Sequence, residues 1–129
     1  WVDTVKDPND PNDKRKLTVI AHSHVGNVAL TAVTRFDLHI DKLILLGTPI
    51  RTEYPLRMKN IVFIYNVYSL GDWIQGVVGY PNSRGEARTL SDSDKVINVI
   101  LEANPGHSDL HERVVWQDHN LEDMVKEVP

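Results

Sequence analysis

The sequence predicts an α/β protein: a three-layer sandwich on a mainly parallel four-stranded sheet, in a single domain covering residues 1–129. Three observations lead there. Four short runs are apolar at consecutive positions, as in strands covered on both faces. Helical patterns or long connections separate these runs, which is the arrangement of a parallel sheet. A chain of 129 residues encloses one modest core and no more.

Taken in order, Trp1 to Lys6 read as the end of a helix. Asp7-Pro8-Asn9-Asp10-Pro11-Asn12-Asp13 reads as an exposed loop, because Pro fixes φ while Asp and Asn form side-chain turns. Its carboxylates suggest calcium, but the EF-hand glycine and distal glutamate are missing, so a solvated turn is the simpler reading. Residues 1–16 thus form a lead-in to the first strand, Leu17–Ala21. Gly26 to Val33, apolar on nearly every side, predicts a buried helix. The further strands are Lys42–Leu46, Asn60–Val67 and Val96–Leu101. Between the last two, Gly76 to Asp94 reads as a surface excursion with a short helix. From Asp109 to Val128, the spacing of Leu110, Val114, Val115, Leu121, Met124 and Val125 predicts one or two amphipathic helices.

Bulk composition removes several function classes. The formal charge of −4 disfavours nucleic acid and anionic membranes, since both select a basic face. No apolar run approaches the roughly 20 residues that span a bilayer, so a soluble chain is expected. Without cysteine there are no disulfides, thiolate metal sites or Cys nucleophiles, and covalent chemistry must use oxygen or nitrogen. The chain opens on Trp1 and not Met, so the missing leader pattern leaves compartment open, the cytoplasm slightly ahead.

The most informative segment is Ile20-Ala21-His22-Ser23-His24-Val25-Gly26-Asn27. A strand turns sharply, sets a serine at the apex and runs straight into a helix. Such a turn projects the hydroxyl from the strand's C-terminal end and offers helix N-terminal amides to a developing oxyanion. This segment resembles the Gly-x-Ser-x-Gly nucleophile elbow of α/β-hydrolases, in particular small lipases and esterases with alanine at the first glycine. Leu46-Gly47-Thr48-Pro49 is similar to the family's turn after the next strand. Tyr68-Ser69-Leu70-Gly71-Asp72 is similar to its acid loop, and Pro105-Gly106-His107-Ser108 to its histidine loop. The order Ser, Asp, His is also the family's.

The resemblance implies the second half of an α/β-hydrolase fold and cleavage of a carboxylic ester without any cofactor or metal. Ser23 falls on the nucleophile, His107 on the base, Asp72 on the orienting acid and the His24 backbone N–H on the oxyanion hole. Each position also has a plainer reading. Ser23 suits a helix N-cap, Asp72 a solvated turn and His107 an ordinary loop histidine. Glu102, then Glu53, are the runner-up acids. His22 and His24 suit packing or the pocket rim, and His107 with His111 a metal pair. Trp73 and Trp116 read as core or pocket wall.

Two departures from the pattern bear on function. Val25 stands where the elbow has glycine, and a β-branched residue there is strained if φ is positive or the backbones are close. At most sixteen residues precede the first strand, where the family places further strands and the loop giving the second oxyanion donor. The alternative to an enzyme is therefore an impaired fragment or a binding and assembly domain. The Leu17–Ala21 strand is also expected to have an open edge, covered by a second copy or by a companion chain.

Overall fold

A computed structural model describes residues 12, 14–51, 58–78, 89–90 and 94–126. The elements are β1 (Thr18–His22), α1 (His24–Phe36), β2 (Ile40–Leu46), a 3₁₀ turn (Met58–Asn60), β3 (Ile61–Ser69), α2 (Trp73–Val78), β4 (Val96–Leu101), a second 3₁₀ turn (His107–His111), α3 (Arg113–Asp118) and α4 (Leu121–Lys126). The Trp1–Lys6 helix, most of the Asp7–Asp13 loop, Glu53 and most of the Gly76–Asp94 excursion lie outside the described residues.

The four strands form one sheet in the order β1-β2-β3-β4, every pairing parallel. Alternation along β2 shows how both faces become core. Leu43 and Leu45 pack with Leu30 and Val33 of α1, while Ile44 and Leu46 pack with Leu110 and Leu121 below the other face. Helix α1 covers one side of the sheet, and the 107–111 turn, α3 and α4 lie against the other. The result is a three-layer α/β sandwich.

Helix α1 is not buried all round. Gly26, Asn27, Leu30 and Val33 face the sheet, whereas Val25 and Val28 are 59% and 57% exposed. A run apolar at most positions hides which side meets the sheet, so the sequence overstates the buried face. Arg35 in the last turn complements the helix dipole, and Asp37 ends the helix with a left-handed φ of 55°. The C-terminal pattern resolves into two short helices. Val114, one of its apolar positions, turns outward.

Two buried polar arrangements tie layers and strands together. Lys42, inside β2, donates from Nζ to the Met124 and Val125 carbonyls at 2.7 and 3.1 Å. These belong to the last turn of α4, whose carbonyls have no partner within the helix. Asn66 of β3 lies opposite Asn98 of β4 and donates to its Oδ1 at 2.8 Å. Asn98 in turn binds both the N–H and the C=O of Leu90. Among the described residues no helix is long and apolar enough to cross a membrane.

Candidate functional site

Parallel strands place all their C-terminal ends along one edge of the sheet, where loops from several strands converge. β1 delivers Ser23 there, β2 delivers Gly47, β3 leads through Ser69-Leu70-Gly71 to Asp72, and β4 leads to His107.

Ser23 joins β1 to α1 with φ 57° and ψ −138°, a conformation that a residue with a side chain adopts only under constraint. Two hydrogen bonds impose it. The Ser23 N–H donates to the Leu46 carbonyl of the neighbouring strand at 2.8 Å, and the Ser23 carbonyl accepts from the Gly26 N–H at 3.1 Å. The close approach behind this turn falls on Gly26, where a Cβ would collide with the Thr48 side chain. Val25 is not among the residues of positive φ, and its side chain points to solvent. The expected strain at Val25 is therefore absent. It sits two residues earlier, on Ser23, and the small residue is needed one position later, at Gly26.

Asp72 is fully buried. Its Oδ1 accepts the Gln75 N–H at 2.9 Å in the manner of an N-cap, fixing the carboxylate at the start of α2. Its Oδ2 lies 2.7 Å from Nδ1 of His107, whose side chain is 10% exposed. The other ring nitrogen, Nε2, lies 2.7 Å from Ser23 Oγ. A carboxylate only accepts, so Nδ1 carries the proton toward Asp72 and Nε2 accepts from the serine hydroxyl. Ser23, His107 and Asp72 thus form one hydrogen-bonded chain across residues that are 35 to 84 positions apart.

The remaining sequence candidates fall as follows. Glu102 is exposed beyond the end of β4, whereas His107 has its carboxylate partner in Asp72. Both nitrogens of His107 are engaged, leaving none for a metal shared with His111, and the described residues hold no cluster of three metal-ligating side chains. His24 opens α1, and its exposed side chain lies on a groove with Asn27, Val28, Thr31 and Arg35. Trp116, partly buried, packs against the core and donates to the Leu110 carbonyl at 2.9 Å, while Trp73 is 67% exposed and belongs to no core. His22 turns inward beneath the histidine loop. Its Nε2 donates to the His107 carbonyl at 2.9 Å, and burial holds its pKa below the ordinary value of 6.5.

Sequence reasoning placed two glycines in hydrolase-like turns without giving them the part that they play in building the site. Gly47, with φ +56°, backs directly onto Asp72 and His107. Gly71 lets the acid loop lie against the Asn104 backbone of the histidine loop, where Ala103 and Asn104 both take positive φ. A glycine directly after an apolar strand was the available signal for Gly47. No local signal marks Gly71, because its neighbour is 33 positions away in sequence. Compared with protein-family models, with curated proteins and with solved structures, the chain matches none.

Proposed function

We propose that the chain is a serine hydrolase that cleaves a carboxylic ester through an acyl-serine intermediate. The observation that carries this reading is the Asp72–His107–Ser23 chain, with both hydrogen bonds at 2.7 Å and the serine held on a strained strand-to-helix turn.

The chemistry follows from the geometry. A serine hydroxyl is a weak nucleophile until a base removes its proton, and His107 Nε2 is within reach to do so. As the Ser23 Oγ–carbon bond forms, the proton moves to Nε2 and the ester carbonyl oxygen takes up negative charge. The His24 N–H, at the N-terminus of α1, is the donor assigned to that oxygen. The imidazolium then gives its proton to the departing alcohol as the carbon–oxygen bond breaks, leaving an acyl-serine. Water, deprotonated by the same nitrogen, releases the acid and restores Ser23. Asp72 holds the Nδ1–H tautomer throughout and offsets the imidazolium charge. The residues in these roles call for no cofactor.

A fluorophosphonate probe followed by intact mass tests the reading. Wild-type protein is expected to gain one adduct, on Ser23, and Ser23→Ala none, with p-nitrophenyl ester hydrolysis lost in parallel. A folded wild-type protein that takes no adduct would leave a binding or assembly domain as the better reading.

A further inference from the structure

Three imidazoles are grouped beneath the candidate site. The His22 ring lies 4.8 Å from that of His107 and 5.2 Å from that of His111, between centroids. Only His107 has a place in the acyl-transfer scheme, yet His22 is the one in contact with its backbone. A carbonyl can only accept, so the 2.9 Å contact to the His107 oxygen fixes the proton of His22 on Nε2.

We infer that His22 is a positioning residue for His107, holding its main chain through Nε2–H while remaining a neutral imidazole. The inference rests on the serine-hydrolase reading. The 3₁₀ turn that His107 opens is held by the local Gly106–Asp109 hydrogen bonds and by buried Leu110, and His22 adds a direct tie from the His107 backbone to a strand end. His22 terminates β1 and shares the sheet's rigidity, and it immediately precedes the nucleophile. One strand end therefore sets Ser23 Oγ and, through His22, the backbone that carries the base.

Neutrality follows from the surroundings. His107 must become a cation in each half-reaction, and a second cation 4.8 Å away would oppose that proton transfer. The titratable groups facing His22 are His107 and His111 on the 107–111 turn and Asp72 ahead of α2. Partial burial favours the uncharged ring most strongly, with the two histidines acting in the same direction and Asp72 against them.

The test compares rates of fluorophosphonate labelling for wild type, His22→Phe and His22→Gln. Phe keeps a planar ring without the donor, and Gln restores an N–H of similar reach. His22→Phe is expected to slow the maximal labelling rate roughly tenfold to a hundredfold with probe affinity unchanged, the scale of a small misplacement of a reacting group. His22→Gln is expected to recover most of that loss. Equal loss in both variants, or none in His22→Phe, overturns the inference while leaving the hydrolase reading intact. An unlabelled wild type instead overturns the hydrolase reading and this inference with it. Should His22→Phe fail to fold, ¹⁵N spectra of the wild-type imidazoles decide. A neutral Nε2–H tautomer at pH 7 is expected, and an Nδ1–H tautomer or a charged ring is the contrary result.

Discussion

Gly47 stands so close behind Asp72 that a Cβ at position 47 would lie 2.7 Å from Oδ2 and 3.4 Å from His107 Nδ1. No side chain fits there without moving the carboxylate. The left-handed φ of Gly47 adds about 1–2 kcal/mol of strain for any other residue. Gly47→Ala is therefore expected to lower the thermal midpoint and to suppress probe labelling at Ser23. Wild-type labelling in the alanine variant would show that the acid loop yields without cost.

Asp72→Asn separates geometry from charge. Asparagine keeps an Oδ1 acceptor for the Gln75 N–H, so the start of α2 should survive. Its amide no longer selects the Nδ1–H tautomer of His107. Ester turnover is expected to fall on the order of a thousandfold or more, with near-wild-type circular dichroism. Steady-state kinetics on a short p-nitrophenyl ester, with the Ser23→Ala protein as background, measures it.

Positions 25 and 26 should respond in opposite ways to exchanging their residue types. Val25 is exposed and unstrained, so Val25→Gly is expected to leave labelling within a few-fold of wild type and to cost about 0.5–1 kcal/mol or less in helix stability. Gly26→Ala drives a methyl group into Thr48 and should both destabilise the fold and disturb the serine turn. Urea titrations with parallel labelling compare the pair. Faster labelling of Val25→Gly would restore the strain argument at that position.

Much of this architecture was legible in the chain, for identifiable reasons. Runs such as Leu43-Ile44-Leu45-Leu46 name their strands because both faces of a parallel sheet demand apolar residues. Ser23, Asp72 and His107 were legible because a motif places each at a strand's end, and parallel pairing brings those ends together. Other features were hidden for equally physical reasons. Nothing local says that Ser23 rather than Val25 carries the unusual backbone, since that depends on the Leu46 carbonyl across the sheet. The inward turn of His22 is likewise set by a loop 85 residues later. The one-sided burial of α1 depends on where the sheet lies, and an apolar stretch is silent on that.

Stability should also depend on pH through His22. Its pKa in the fold is below 6.5, so in the window between the two values the folded state binds fewer protons than the unfolded chain. Its contribution to stability is then fully present above 6.5 and is lost as pH falls through that window. Urea unfolding at a series of pH values should show a shallower decline for His22→Gln than for wild type. Identical slopes would indicate that His22 titrates alike in both states.

The edge of the sheet at β1 leads to the last prediction. Among the described residues β1 pairs only with β2, and Ile20 on this strand is 45% exposed. An apolar strand with unpaired N–H and C=O groups invites another strand. The edge is expected to be covered by a second copy or by a companion chain, giving a mass above the monomer in sedimentation when the chain is alone. Ile20→Lys should reduce that mass. A monomer at high concentration with rapid amide exchange along Leu17–Ala21 would refute the expectation.

The Asn66–Asn98 pair has a consequence for how the chain finds its fold. Val and Ile recur along β3 and β4, so a slip of two residues would exchange one branched side chain for another at little cost. The same slip would set Asn66 against Val96 or Ile100 and leave a buried carboxamide facing hydrocarbon. Misregistered pairings are thereby discouraged at the step where two distant segments first meet. The pair acts as a key for assembly as much as a bond in the finished sheet.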